Sequence, residues 1–264
     1  MTTGSELRLT AVVENAAEVL TCAVDAADGI GVSRGAVVAI SGSRIAAVDR
    51  PAAIAARFDL GGVERIDARG GVVLPGFVDC HTHLVFHGSR VEEYAGRLRG
   101  ATTAELAARG LRTGIPATVA MLRAASTEEL VQSASERLDQ MLASGTTTVE
   151  SKSGYGLSTA SELRMLEVNR ILDAAHPIDI VSTFLGAHEF PEDLSRDAYV
   201  DLIVEEMIPA VAERGLAEFN DVYCDAGYYS VSESRRILEA GIAHGLKVKI
   251  HTDAYSHIGG STLV

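Results

Sequence analysis

LPGFVDCHTH, residues 74–83, joins a short apolar run to two histidines that are separated by one residue. Side chains at positions i and i+2 of an extended segment share a face, so His81 and His83 are expected to project together. They would stand at the carboxyl end of a strand over residues 72–79, where two imidazoles suit a metal ion. Paired histidines on a strand are also found merely hydrogen-bonded in protein cores, so the pair alone leaves both interpretations open.

Downstream of this stretch, apolar strands alternate with amphipathic helices, a pattern typical of parallel βα units. Five parallel strands fit either an open doubly wound sheet or the first five strands of an eight-stranded barrel. The phosphate-binding GxGxxG pattern is absent after the first strand, where His81 and His83 stand instead, and this favours the barrel. The predicted strands cover residues 72–79, 146–151, 178–187, 219–224 and 246–252, and the predicted helices cover 127–144, 159–174, 198–214 and 231–244.

Helix-start signals support these boundaries. Ser126 and Glu129 have the spacing of a capping box before the first predicted helix, and Thr159 and Glu162 mark the start of the second. Upstream, residues 8–71 contain short strands separated by turn signals, which predicts a small β unit. We therefore expect two domains, residues 1–71 and 72–264.

Composition limits the function. The chain has 23 Lys and Arg against 36 Asp and Glu, a net charge of −13, which argues against nucleic acid and anionic membrane as partners. Residues 1–7 lack the order of a signal peptide, and no apolar stretch is long enough to span a bilayer. Cys22, Cys80 and Cys224 are widely spaced and form no CxxC pair, so we expect a cytoplasmic protein.

A second candidate metal-binding position lies on the last predicted strand. Alternation along KVKIHTD, residues 247–253, places His251 on the face that points toward the first histidine pair. Three neutral imidazoles from two strands suit zinc or iron, which would lower the pKa of a bound water. The same alternation turns Lys247 and Lys249 inward, so we expect Glu150 to pair with one of them.

Residues 74–83 resemble the metal-binding opening of the amidohydrolase superfamily. Four further motifs look like those of the imidazolonepropionase family, and the resemblance spans roughly residues 36–264. It implies a (β/α)8 TIM-type barrel of which only about the first five βα units are present, preceded by part of a small β-sandwich domain. The four motifs are THLVFHGSR (82–90), ESKSGYGL (150–157), FLGAHE (184–189) and KIHTD (249–253) with the glycines at 259 and 260.

The resemblance also implies a reaction, the hydrolysis of the ring amide of 4-imidazolone-5-propanoate to N-formimidoyl-L-glutamate in histidine degradation. It implies one metal ion, zinc or iron, and a homodimer for the full-length form. Carried over to this sequence, it makes three histidines metal ligands and three other residues contacts of the small-molecule substrate. The implied ligands are His81, His83 and His251, and the implied substrate contacts are Arg90, Tyr155 and His188.

Each substrate contact has a physical rationale beside a structural alternative. The guanidinium of Arg90 suits the propionate carboxylate, although loop arginines are commonly solvated. Glycines on both sides of Tyr155 allow a tight loop over a ligand, or a simple turn. His188, the implied catalytic residue, would polarise the carbonyl or stabilise an oxyanion, or would be a buried hydrogen-bonded histidine. Lys152 is expected to form a salt bridge and not to be a carbamylated metal bridge.

Two departures from the family pattern affect the functional expectation. Ala254 replaces the Glu or Gln that usually follows the His-x-Asp, so Asp253, Ser256 or His257 would have to substitute, or ring recognition is weaker. The sequence stops at Val264, before three further family strands and a metal-binding aspartate, so we expect this chain to have little or no activity. Another cyclic amide or amidine hydrolase, or an inactive metal-binding fragment, are the alternatives.

Overall fold

A computed structural model describes residues 7–263, so the expectation about a signal peptide falls mainly outside the described residues. The chain divides into two compact units after Gly76. The first unit contains a four-stranded sheet in the order β5-β4-β1-β6 and a three-stranded sheet in the order β3-β2-β7. Its elements are β1 (Ala11–Glu14), β2 (Glu18–Leu20), β3 (Val32–Arg34), β4 (Val37–Ser41), β5 (Arg44–Asp49), α1 (Pro51–Arg57), β6 (Glu64–Asp67) and β7 (Val72–Val73).

The second unit contains a parallel sheet in the order β12-β11-β10-β9-β8, with β13 paired to β11. Helices lie between successive strands, as the alternating pattern predicted. The strands are β8 (Phe77–Thr82), β9 (Thr146–Lys152), β10 (Asp179–Ala187), β11 (Phe219–Cys224), β12 (Lys247–Val248) and β13 (His251–Thr252). The helices are α2 (Val91–Leu98), α3 (Thr103–Ala108), α4 (Gly114–Ala124), α5 (Thr127–Ala143), α6 (Thr159–Ala175), α7 (Arg196–Leu202), α8 (Ile208–Glu213) and α9 (Val231–Ala243).

The prediction of one strand over residues 72–79 is wrong. Val72 and Val73 pair with β2 in the first unit, and the first strand of the parallel sheet begins at Phe77. Residues 74–76 have no regular structure between the two strands. Pro75 has no N–H to donate to a sheet ladder, which explains why the apolar run is interrupted there.

The fifth strand is interrupted, yet it keeps its register. Lys247 pairs with Phe219 and His251 pairs with Tyr223, so both halves of the strand are aligned with β11 in the same frame. The alternation predicted from the sequence therefore continues through the irregular residues 249–250 to His251.

The helix-start predictions succeed at α5 and are only partly right at α6. Ser126 and Glu129 form the predicted capping box of α5. At α6 the N-cap is Ser158, one residue earlier than predicted, and its side chain accepts from the Ser161 N–H. The Glu162 carboxyl group instead accepts from backbone N–H groups of the loop after β9.

The predicted helix over residues 198–214 is a continuous run through α7 and α8 with a π-helical turn, Ile203–Met207, between them. Pro209 follows this turn and has no N–H for an intrahelical hydrogen bond, a common cause of such irregularity. None of the helices within residues 7–263 has the length and apolar character required to cross a membrane.

Helix α5 and strand β9 show how the outer layer packs on the sheet. Leu130 and Leu138 of α5 are fully buried against Val149 of β9 and Met165 of α6. Burial of each such side chain contributes about 1.5–3 kcal/mol to stability. The opposite face of the sheet carries polar side chains, which form the candidate site.

Candidate active site

The candidate site lies at the carboxyl ends of the parallel strands, where barrel enzymes place their catalytic groups. His81 lies on β8 and His83 directly after it, while His251 lies on β13. Tyr155 lies in the loop after β9, and His188 follows β10 directly. Five of the six predicted site residues therefore lie at the carboxyl ends of four strands of this sheet, β8, β9, β10 and β13.

His81 and His251 meet edge to face. Their Nε2 atoms lie 2.8 Å apart, and the ring planes are inclined by 79°. The Nδ1 atom of His251 is 2.9 Å from the Oδ2 atom of Asp221. Because the carboxylate can only accept, Nδ1 of His251 carries its proton, and Nε2 is left as the acceptor of the hydrogen that His81 donates. Burial, followed by the neighbouring His251, lowers the pKa of His81.

His83 packs against the rings of Tyr155 and His188, which are both predicted site residues. It stacks on His188 with a centroid distance of 4.7 Å and an interplanar angle of 14°, and its ring centre is 4.6 Å from that of Tyr155. Its Nδ1 atom is buried and has no hydrogen-bond partner. Burial lowers the pKa of His83 well below its usual range, with His188 as the next cause. The ring is therefore neutral at pH 7, the form in which imidazole binds metals.

His188 is held by a backbone carbonyl. Its Nδ1 atom lies 3.0 Å from the carbonyl oxygen of Gly154, which can only accept, so Nδ1 carries the proton and Nε2 is bare. Burial lowers the pKa of His188 to about 4. A neutral ring in this tautomer offers Nε2 as an acceptor, whereas oxyanion stabilisation needs a donor. The geometry thus favours a hydrogen bond from a substrate N–H over the predicted oxyanion role.

Arg90 and Tyr155 line one cavity of about 350 Å³ together with His83. The Arg90 side chain is 41% exposed, and Nη1 lies 3.7 Å from Oε2 of Glu93, beyond hydrogen-bonding distance. Its guanidinium therefore retains donors for a ligand. Burial raises the pKa of Tyr155, so its hydroxyl stays protonated at neutral pH. The remaining lining residues are Phe86, Gly88, Ser89, Thr118 and Met121.

A buried charge network lies beneath the histidines. Lys152 donates to Glu150 at 2.7 Å and to Asp221 at 2.8 Å, and all three side chains are almost fully buried. Lys249 also contacts Glu150 at 2.7 Å, which confirms the predicted pairing of Glu150 with an inward lysine. Lys247 was expected to point inward, but it is exposed and pairs with Glu218 at the amino end of the strand. The predicted salt bridge of Lys152 is confirmed.

Both carboxylates of this network are ionised at neutral pH. Burial by itself raises the pKa of Glu150, but hydrogen bonds from Lys152, Lys249 and Thr183 reverse the effect, and the pKa is lowered. The pKa of Asp221 is likewise lowered, because burial, which raises it, is outweighed by the hydrogen bond from His251 and by the charge and hydrogen bond of Lys152. Asp221 therefore holds an ionised carboxylate next to Nδ1 of His251.

The groups expected to compensate for Ala254 are engaged elsewhere. The hydroxyl of Ser256 donates to Oδ1 of Asp225 at 2.5 Å, and Asp225 also accepts from the Ala254 N–H at 2.8 Å. Asp253 lies 3.0 Å from Nδ1 of His257. Ring recognition by these side chains would require each of them to give up an existing partner.

The residues present suit a metal ion in their chemistry, although they are not already arranged around one. Within residues 7–263 no three His, Cys, Asp or Glu side chains are grouped as a metal site. Two observations nevertheless favour a cation. Nε2 atoms of His81 and His251 point at one another, and a buried nitrogen of the adjacent His83 has no partner. Imidazole nitrogens of this kind are ligands for zinc and iron.

Asp221 is a residue of the candidate site that was not predicted. It stands within the apolar strand β11, is 1% exposed, and contacts both Lys152 and His251. The sequence offered one signal for this residue, because a charged side chain is unusual inside a strand that is buried on both faces. Its partners come from two other strands, so only the folded chain shows what it does.

Asp221→Asn should weaken zinc binding by about 10–100-fold, because a carboxylate behind a metal-binding histidine fixes its tautomer and orientation. The dissociation constant would be measured by competition with a chromophoric chelator, and folding would be checked by circular dichroism. Asp201→Asn is the control, since Asp201 is half exposed and pairs only with Arg236. An unchanged dissociation constant in folded Asp221→Asn would contradict the assignment.

Comparisons with known proteins identify sequence relatives of this chain. A model described as the amidohydrolase family matches residues 64–110. The imidazolonepropionase of Symbiobacterium thermophilum is 58% identical over 201 residues, covering 75% of this chain and 47% of that protein. The imidazolonepropionase of Halobacterium salinarum is 44% identical over 256 residues, covering 97% of this chain and 61% of that protein. The chain spans about half the length of the curated relatives it matches.

Solved structures show the same fold at low sequence identity. A 5-methylcytosine deaminase from Klebsiella pneumoniae, liganded with phosphonocytosine, has a TM-score of 0.62 at 18% identity and covers 94% of this chain and 53% of its own. An adenosine deaminase from Xanthomonas campestris with bound zinc has a TM-score of 0.53 at 16% identity, covering 94% and 50%. The chain is therefore homologous to the imidazolonepropionases over about half of their length and has the fold of the amidohydrolases.

Proposed function

We propose that this chain supplies the metal-binding and substrate-binding part of an imidazolonepropionase, which hydrolyses 4-imidazolone-5-propanoate to N-formimidoyl-L-glutamate. The observation that carries the proposal is the convergence of His81, His83 and His251 beside the cavity of Arg90 and Tyr155. The identity of 44–58% to relatives named imidazolonepropionase supports the same reaction.

The three histidines would hold one zinc or iron ion. When bound, such an ion polarises the ring carbonyl and lowers the pKa of a water molecule. The chain's own contribution is to lower the pKa values of His81 and His83 by burial, which keeps these two rings neutral, and to orient His251 through Asp221. We propose that these ligands act together with groups of the remainder of the protein.

The substrate would be oriented by its two ends. Arg90 would bind the propionate carboxylate through its guanidinium, which lies 3.7 Å from Glu93 in a salt bridge too long for a hydrogen bond. At the other end, bare Nε2 of His188 would accept from a ring N–H, and the protonated hydroxyl of Tyr155 would donate to the ring. Both groups contact His83, so the bound ring would lie beside the ligand set.

Arg90→Gln should weaken the binding of imidazole-4-propionate by about tenfold or more, because a charge-assisted hydrogen bond contributes about 1.5–3 kcal/mol. Isothermal titration of the zinc-loaded chain would measure the dissociation constant. Arg97→Gln is a matched control, since Arg97 is exposed to a similar degree and pairs with the same Glu93. The dissociation constant of 4-ethylimidazole, which has no carboxylate, should be the same in both variants. If Arg90→Gln weakened the binding of both ligands equally, the role of Arg90 would be contradicted.

Turnover tests the reaction itself. Formation of N-formimidoyl-L-glutamate from 4-imidazolone-5-propanoate would be measured for the chain and for the chain fused to the part of a relative that lies beyond the matched residues. A panel of cyclic amides and amidines would be measured in parallel. Preference for a panel member would favour the second candidate, a related cyclic amide hydrolase, for which Ala254 and the engaged Ser256 are the specific observations. Metal binding without any turnover in either form would favour a non-catalytic metal-binding module.

The proposed setting follows from the same relatives. The partner would be a small-molecule substrate, and the full-length form would be a homodimer in the cytoplasm. The described cysteines are free, with Cys22 and Cys80 exposed and Cys224 buried, which suits a reducing compartment.

A further inference from the structure

Glu162 is a buried acidic residue that the proposed reaction does not use. It lies in the first turn of α6 and is completely buried. The sequence pattern favoured a helix-start role, but Ser158 caps this helix through its own hydroxyl. Burial raises the pKa of Glu162, and hydrogen bonds from Ser153 and the backbone oppose that effect. Burying a carboxyl group costs free energy unless its oxygens are hydrogen-bonded, so its partners need to be identified.

Its partners are the backbone N–H groups of one loop. Oε2 accepts from Gly154 at 2.8 Å, while Oε1 accepts from Gly156 at 2.7 Å and from Leu157 at 2.8 Å. Both oxygens of the carboxyl group therefore act as acceptors. A single side chain thus fixes both sides of Tyr155, which stands between the two glycines.

The glycines allow the loop to lie this close. A Cβ atom on Gly154, which has φ +108°, would be 2.8 Å from the Leu185 carbonyl oxygen and 2.9 Å from Nδ1 of His188. A Cβ on Gly156 would be 2.5 Å from the Glu162 nitrogen. The loop is therefore wedged between α6 and β10, and its position depends on the hydrogen bonds that Glu162 accepts.

The loop presents two groups to the site. Tyr155 packs against His83 at 4.6 Å and against His188 at 5.2 Å. The carbonyl of Gly154 accepts from Nδ1 of His188 at 3.0 Å and so determines which ring nitrogen is bare. A shift of the Gly154 peptide would act on both groups at once.

We propose that Glu162 is a positioning residue, which holds the loop over residues 153–157 so that Tyr155 faces the site and His188 keeps a proton on Nδ1. The importance of these two groups for a substrate rests on the proposed function, but their arrangement does not. Gln at position 162 could accept on one side only, and its amide would point a donor at the N–H of Gly154 or of Gly156.

The test compares Glu162→Gln with wild type by NMR of the ligand-free chain labelled with 15N. Long-range 1H–15N correlations distinguish the two histidine tautomers, and the His188 signal is the one lost in His188→Gln. We expect wild type to show a bare Nε2 on His188, and Glu162→Gln to show a mixed or exchanged tautomer. The amides of Gly154 and Gly156 should exchange with solvent about tenfold faster in the variant.

Glu129→Gln is the matched control, because Glu129 occupies the third position of α5 and closes an exposed capping box. It should leave the His188 tautomer unchanged. If Glu162→Gln does not fold, Glu162→Asp takes its place, since it retains the charge but shortens the reach by one methylene. A protonated Nε2 on His188 in wild type would overturn the proposal, as would an unchanged tautomer in the folded variant. Because no ligand is present, failure to bind imidazole-4-propionate would refute the proposed function separately.

Discussion

Replacing His251 with alanine should abolish the stoichiometric binding of zinc or iron by this chain, and His81→Ala and His83→Ala should do the same. Nε2 of His251 meets Nε2 of His81 at 2.8 Å, and the stacked His83 has a buried nitrogen without a partner. Because a site with three protein ligands cannot keep its affinity with two, loss of any one imidazole should release the ion. Metal content after dialysis would be measured by inductively coupled plasma mass spectrometry.

Two other histidines provide matched controls. His244 follows α9 and its Nδ1 donates to the Ala240 carbonyl, at the amino end of the strand whose carboxyl end carries His251. His176 ends α6 and lies 3.3 Å from Asp139. His244→Ala and His176→Ala should retain metal at the wild-type ratio. Equal retention in all five variants would refute the ligand assignment, whereas equal loss would point to unfolding, which circular dichroism would reveal.

The three histidines of the candidate site show what a sequence can predict about the direction of side chains. Side-chain alternation in a strand is a local rule, and the same frame relates Lys247 to Phe219 and His251 to Tyr223. The direction of His251 was therefore predictable even though the strand is interrupted. Alternation predicts the face of the sheet on which a side chain lies, but not how deeply it is buried. Lys247 is exposed because it stands at the amino end of the strand.

Roles that depend on partners distant in the sequence were not predictable in this way. Asp221 acquires its role from Lys152 and His251, which lie on other strands. Glu162 has the spacing of a helix-start residue, but the folded chain brings three loop N–H groups to its carboxylate. Ser256 was a candidate to replace the Glu or Gln side chain that Ala254 lacks at the substrate ring, but its hydroxyl donates to Asp225. In each example the hydrogen-bond or salt-bridge partner determines the role of the side chain, and that partner is known only once the chain is folded.

Lys152→Met should reduce the free energy of unfolding by about 3–5 kcal/mol, because it leaves two buried carboxylates without their shared cation. Lys152 is 3% exposed and is held by Glu150 at 2.7 Å and Asp221 at 2.8 Å. Methionine retains most of the length of lysine, so the loss reports charge more than volume. Urea denaturation followed by circular dichroism would measure the change.

Lys247→Met is the matched control, since its salt bridge with Glu218 is exposed and should contribute about 0–1 kcal/mol. The acid range provides a second check. The lowered pKa values of Glu150 and Asp221 stabilise wild type at pH values above the unfolded pKa, and that stabilisation is lost as the pH falls through the folded pKa. Without Lys152 both pKa values rise, so the carboxylates of the variant become neutral at higher pH. The difference in the free energy of unfolding between variant and wild type should therefore become smaller as the pH falls. A difference that is constant with pH would show that Lys152 stabilises the protein by packing and not by its charge.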